Sequence, residues 1–214
     1  MADPLPLVVL VSGRGSNLHA IADAIDAGAC RARIVGVVSD RGPERCEALG
    51  WASERGVRTA TVSPKAHPDR TAWDAALADA VAGFSPELVV LAGFMRIVGE
   101  SFLGRFGGRT LNVHPSLLPS FPGLAAPEQA IDAGVRISGC TVHLVDAGVD
   151  TGPILAQAAV PVRPTDDAAA LHARIQQHEH RLLPQVIDWL ATGALSLEER
   201  RAPDADGVLF SPGV

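Results

Sequence analysis

Cysteine is scarce in this chain: Cys30, Cys46 and Cys140 are the only three, an odd number at wide spacing. That excludes a disulfide framework and a cysteine-ligated metal centre, and leaves the three as reduced, buried small hydrophobes. No apolar run approaches the roughly 20 residues needed to cross a bilayer. Residues 1–6 carry neither the basic segment nor the long apolar segment of a secretory leader. The expected compartment is therefore the cytoplasm, with no membrane partner. Basic charge is also short, with 18 Lys and Arg against 24 Asp and Glu and a formal net charge of -6. Nucleic acid is not an expected partner of such a chain, whereas a phosphorylated small molecule can still be held locally. Internal repeats and low-complexity tracts are absent. What is present is the composition of a globular domain: 214 residues, 47% hydrophobic and 20% charged, enough for a sizeable core.

Residues 7–11 form an apolar run without alternation, as expected of a parallel strand buried on both faces. Ser12-Gly13-Arg14-Gly15-Ser16-Asn17 follows, and then Leu18, Ile21, Ala22 and Ile25 recur at helical spacing as far as Gly28. The glycines let backbone approach a ligand and the helix start favours a phosphate, although an ordinary tight turn explains the same residues. The third glycine of a dinucleotide fingerprint is missing, since Leu18 stands there. After a second strand at 33–39, Asp40 occupies the region of a ribose-binding acid, but Asp40-Arg41-Gly42 reads equally as turn chemistry. A helix over 43–55, a strand over 58–62, a helix over 69–82 and a strand over 87–92 continue the alternation. Such βα repeats imply a parallel sheet with right-handed crossovers. Residues 93–98 leave the last of these strands at its carboxyl end, where open α/β sheets place ligands. Met95, Ile97 and Val98 suit an apolar pocket or core packing, and Arg96 calls for a carboxylate, structural or on a ligand.

The chain is organised around Asn112-Val113-His114-Pro115, which continues as Ser116-Leu117-Leu118-Pro119. On an extended strand Asn112 and His114 leave the same face, with Leu111 and Val113 on the other. Pro115 ends ladder pairing and Pro119 and Pro122 stiffen the exit, so the imidazole stands at a strand terminus. That suits catalysis, and equally a hydrogen-bonded structural histidine. A short helix over 127–133 follows, and then a strand over 138–145, on which His143 reads as a residue of the polar face. The turn 146–153, with Asp146 and Asp150, precedes a strand over 154–160. A carboxylate there could reach His114, or the turn could simply close an antiparallel hairpin. Thr165-Asp166-Asp167 caps a long helix to about residue 190. Its polar cluster from Gln176 to His180 reads as a solvated face, and residues 194–210 read as a hairpin.

With these motifs in this order, residues 7 to about 189 resemble the phosphoribosylglycinamide formyltransferase family, the folate-dependent enzymes of purine synthesis. The resemblance rests on Ser12–Asn17, Leu91–Ile97, Asn112–Pro119 and Asp150–Pro153 together. It implies a single Rossmann-like α/β domain spanning 1–214, mostly parallel, with helices on both faces and an antiparallel C-terminal element. Within it, 1–109 would be the phosphate-binding half, 110–190 the folate and catalytic half, and 191–214 a hairpin and tail. It further implies that Gly15, Ser16, Asn17 and Glu179 bind phosphoribosylglycinamide. Arg70, Met95, Arg96, Ile97, Val98, Asn112, Asp146 and Asp150 would hold 10-formyltetrahydrofolate as co-substrate, and Asn112, His114 and Asp150 would be catalytic. No metal is expected, and the chain would act as a monomer or homodimer on small molecules.

One departure stands out. The family usually places a histidine near the catalytic pair, where this chain has Ala125. The alternatives are a formyltetrahydrofolate hydrolase, or a catalytically weakened folate- or nucleotide-binding relative. Methionyl-tRNA formyltransferase shares the Asn-x-His pattern but carries an additional domain for which this sequence offers no segment. A nicotinamide-dependent dehydrogenase would need the missing third glycine.

Overall fold

The run without alternation is a strand covered on both faces: Leu7, Val8, Val9, Leu10 and Val11 are all fully buried. They lie in β1 (Leu5–Val11) of the computed structural model, which describes residues 3–198. The other parallel strands are β2 (Ala32–Ser39), β3 (Thr59–Thr61), β4 (Leu88–Leu91) and β5 (Thr110–His114). β6 (Ile137–Leu144) joins β5 antiparallel, and β7 (Ile154–Pro161) joins β6 antiparallel. The seven strands form one sheet in the order β3-β2-β1-β4-β5-β6-β7. The strand order turns back on itself between β1 and β4, so the loops after these strands diverge and leave a crevice at their carboxyl ends.

Helices cover both faces. Leu18 and Ile21 of α1 (Ser16–Asp26), Leu49 of α2 (Glu47–Glu54), Ala130 of α5 (Ala126–Asp132) and Ile175 of α6 (Ala168–Ala191) share one core with β1 and β5. Trp73 and Leu77 of α3 (Arg70–Ala82) pack with Phe102 and Phe106 of α4 (Glu100–Phe106) in the other. Each core is lined by one of the two side-chain faces of the sheet: Val9 and Leu111 lie in the first, Val8 and Val89 in the second. Among the described residues no helix is long and apolar enough to cross a membrane.

The expected architecture is present, with local differences. The helix expected from residue 43 starts at Glu47, because the Arg45 N–H closes a turn on the Gly42 carbonyl at 2.9 Å and Cys46 is extended. The strand expected over 58–62 is only three residues long, at the exposed edge of the sheet. Helix α4 has no counterpart in the sequence reading. It is capped by Asp74 from α3, whose carboxylate accepts the Phe102 N–H at 3.0 Å and also that of Gly99. Of the hairpin expected over 194–210, residues 194–198 form no strand and the remainder lies outside the described residues.

Candidate active site

Four elements converge on one carboxylate. Asn112 and His114 share a face of β5, opposite Leu111 and Val113, which lie in the core. The antiparallel register sets His143 of β6 directly beside Asn112. The turn between β6 and β7 then brings Asp150 to both strands. Its Oδ2 lies 3.3 Å from His114 Nδ1, and its Oδ1 accepts from Asn112 Nδ2 at 3.3 Å. The Gly123 N–H donates to Oδ2 at 2.8 Å, and His143 Nε2 stands 3.6 Å from Oδ1. Asp150 occupies this position with φ 54, in the left-handed region that Asp tolerates better than most residues. Burial opposes its charge, but the Gly123 N–H and the His114 ring outweigh it and hold the Asp150 carboxyl below the usual range. Both readings of the turn therefore hold, since it closes a hairpin and delivers a carboxylate to His114.

The His114 ring is buried and both of its nitrogens face oxygens. Nε2 lies 2.8 Å from the Phe121 carbonyl, on the far side of the ring from Asp150. A doubly protonated imidazolium, donating from each nitrogen, satisfies this setting. The loop that supplies Phe121 is strained, with Phe121 at φ 55 and Ala125 at φ 57. It is also tied down. Thr141 Oγ1 donates to the Ser116 carbonyl at 2.7 Å and accepts the Leu118 N–H at 3.0 Å, while Gln129 Nε2 donates to the Leu124 carbonyl at 2.8 Å. Ala125 contributes no side-chain cap to α5.

A second group forms across the crevice. Gly15 precedes α1 at φ 80, and a Cβ there would stand 2.7 Å from that of Ala48. Its glycine is thus required by the turn and by α2 as much as by any ligand. Asn17 Nδ2 donates to Glu179 Oε2 at 3.0 Å, and Gln176 Nε2 reaches Ser16 Oγ at 3.2 Å. This corrects the reading of the α6 cluster as a solvated face, for Glu179 is buried and turned toward the glycine loop. Burial pushes the Glu179 carboxyl up, opposed by the Asn17 amide. Asn17 Oδ1 is buried without a hydrogen-bond partner.

Asp40 ties the loop after β1 to the loop after β4. Its Oδ1 accepts from Ser12 Oγ at 2.6 Å, its Oδ2 from Arg96 Nε at 2.8 Å, and Ser12 Oγ accepts the Met95 N–H at 2.9 Å. The carboxylate sought for Arg96 is this structural one. Arg70 donates to the Ile97 carbonyl at 2.7 Å, which brings it to the same loop. Met95 and Ile97 are exposed, as are Leu124 and Val149, whereas Val98 is buried. Asp146 stays within its turn, accepting from Thr151 Oγ1 at 2.8 Å and from the Gly148 N–H. The sequence reading missed His143, and no local signal marks it, because its importance comes from the register with β5.

A carboxylate beside two imidazoles and an amide, at the ligand-binding end of an open α/β sheet, is a set of groups that can steady an oxyanion and move protons. The model of the formyl transferase family matches residues 5–187, and the chain belongs to that family. It is 51% identical over 199 residues to the phosphoribosylglycinamide formyltransferase of Mycobacterium tuberculosis (strain H37Rv), covering 93% of this chain and 91% of that protein. The corresponding enzyme of Escherichia coli (strain K12) is 40% identical over 198 residues, 92% of each chain. The crystal structure of glycinamide ribonucleotide transformylase 1 from Symbiobacterium toebii superposes with a TM-score of 0.89 at 45% identity, covering 98% of this chain and 96% of that one.

Proposed function

We propose that the protein transfers the formyl group of 10-formyltetrahydrofolate to the amine of 5'-phosphoribosylglycinamide, a step of de novo purine biosynthesis. The observation that carries this reading is Asp150 held 3.3 Å from both His114 Nδ1 and Asn112 Nδ2. The neutral glycyl amine attacks the formyl carbon, the C=O electrons move to oxygen, and the tetrahedral oxyanion collapses as the folate nitrogen leaves with a proton. Asn112 and a protonated His114 stabilise the oxyanion by donation. A full negative charge is a stronger acceptor than the neutral Phe121 carbonyl that His114 Nε2 otherwise meets. Asp150 accepts from His114 Nδ1 and orders the water that carries the proton from the attacking amine to the leaving nitrogen.

The two substrates approach from opposite sides of the Asp150 cluster. Gly15, Ser16 and Asn17 of the 1–109 half hold the phosphate. Glu179 binds the sugar or glycyl end, and a substrate hydroxyl can donate to the unpartnered Asn17 Oδ1. Arg70, Met95, Arg96, Ile97 and Val98 of the 1–109 half and the Asp146–Asp150 turn of the 110–190 half hold the folate. The exposed apolar side chains of Met95, Ile97, Leu124 and Val149 suit a flat aromatic ligand. Arg96, committed at Nε to Asp40, contributes mainly by positioning its loop.

The test follows the loss of 10-formyltetrahydrofolate by absorbance with and without phosphoribosylglycinamide. Loss only with the amine is expected. Equal loss without it would make the protein a hydrolase. The second alternative, a weakened relative, is favoured by Ala125 alone, and Ala125→His separates it: a clear rise in kcat in the variant would mark the parent as weakened.

A further inference from the structure

Two histidines flank Asp150, and their neighbours assign them different protonation states. Asp150 Oδ1 only accepts, so the Asn112 amide atom that faces it at 3.3 Å is the nitrogen. That same nitrogen lies 3.1 Å from His143 Nε2. An amide N–H cannot point usefully at a ring N–H, so Nε2 presents its lone pair. On the other side of the ring, Nδ1 stands 2.8 Å from the Leu144 carbonyl, which requires Nδ1–H. At 3.6 Å the His143 Nε2 to Asp150 Oδ1 separation is beyond hydrogen-bond length, and the Asn112 amide bridges the two acceptors. His114, by contrast, faces oxygens from both nitrogens.

We propose that His143 is a positioning residue, held as the neutral Nδ1–H imidazole, whose Nε2 accepts one N–H of Asn112 and so aims the other at the transferring formyl oxygen. This rests on the functional reading above. In the unliganded site the second N–H is held by Asp150 across the longer of the two contacts, 3.3 Å against 3.1 Å. It is the one handed to the developing oxyanion while His143 keeps the first. Without the imidazole, the amide turns about its Cβ–Cγ bond and the donor leaves the line of attack. Register makes the arrangement rigid, because Asn112 and His143 are directly paired across β5 and β6 and the ring is buried. The titratable groups facing this cluster are Asp150 from the turn and, beyond it, His114 from β5.

Ring-nitrogen NMR of the full chain labelled with 15N-histidine reads the tautomer directly. His143 is expected to give the neutral Nδ1–H pattern near neutral pH, and a doubly protonated or Nε2–H ring would overturn the proposal. Kinetics give an independent reading. His143→Leu is expected to lower kcat by about 10- to 100-fold, as for other groups that orient a reacting side chain. Both KM values should stay within about threefold, and the acid limb of the kcat profile should not move, because a positioning residue takes no part in the proton transfers. His143→Gln, which restores an acceptor, is expected to recover part of the loss. A raised KM at unchanged kcat, a vanished acid limb, or a Gln variant no better than Leu would each overturn the proposal. If the wild-type protein transfers no formyl group, the functional reading fails, while the NMR result still decides the state of His143.

Discussion

Asp150 serves His114 through one oxygen and Asn112 through the other, so a single substitution disturbs both donors of the oxyanion site. Asp150→Asn places an amide N–H where an acceptor is needed, and His114→Ala removes a donor outright. Each is expected to slow turnover about 100- to 1000-fold, the cost of losing one oxyanion donor, with much smaller changes in KM; steady-state kinetics with both substrates checks it. Near-normal kcat in either variant would remove the assignment. Glu179 belongs to the other side of the crevice and should separate differently. Glu179→Gln is expected to raise the KM for phosphoribosylglycinamide about 10-fold or more, since a hydrogen bond to a charged group is worth roughly 1.5–3 kcal/mol. The KM for the folate should stay unchanged. Asn112, His114 and the two Asp residues of the turn could be singled out from side-chain type and spacing. His143 could not, because nothing within six residues of it says which strand it will lie beside.

Helix α4 shows how an element is held by another rather than by its own sequence. Seven residues are too few to be stable alone, and the cap comes from α3, where the buried Asp74 accepts the N–H groups of both Gly99 and Phe102. Asp74→Ala strands those donors and is expected to cost about 1–3 kcal/mol, read as a lower urea midpoint at unchanged slope. Helix α6 is fastened at both ends by ion pairs, one of them to a residue 157 positions away in sequence. The Asp188 carboxylate takes Arg31 Nε at 2.9 Å, its second nitrogen at 3.0 Å and its backbone N–H at 3.0 Å. Near the other end, Asp166 pairs with Arg174 through two contacts, at 2.6 and 2.7 Å. The helix itself was legible, from the apolar spacing and the Asp167 cap, whose carboxylate accepts the Ala170 N–H at 2.7 Å. Its tether to Arg31 was not, since that depends on which segment the far end of the helix lies across.

For the molecule as a whole these carboxylates set the acid limit of stability. The Arg174 guanidinium holds Asp166 well below the usual range, at about 2, and Arg31 and the groups around Asp150 hold Asp188 and Asp150 low as well. A depressed folded value means stability that is fully present above the unfolded carboxylate range, about pH 3.9, and is lost as pH falls through the folded value. The thermal midpoint is therefore expected to fall steeply between these limits. Asp166→Asn should lower it near neutrality and converge with the wild type in strong acid. A deficit that persisted in strong acid would assign Asp166 a role other than its ion pair. The alternation of apolar runs with helical periodicity was enough to specify a doubly covered sheet, because burial on both faces demands runs without alternation, as in β1. The glycine loop and the Asn112–His114 pair were legible for the same local reason: side-chain direction repeats every two residues on a strand, and glycine tolerates φ 80. Antiparallel register, by contrast, is a relation between segments 31 residues apart, and it alone put His143 against Asn112. Folding likewise brought Asn17 to Glu179 across 162 residues and Ser12 to Asp40 to Arg96. Such contacts are decided by how the sheet stacks its strands and where the helices cross them, which the linear order of side chains does not contain.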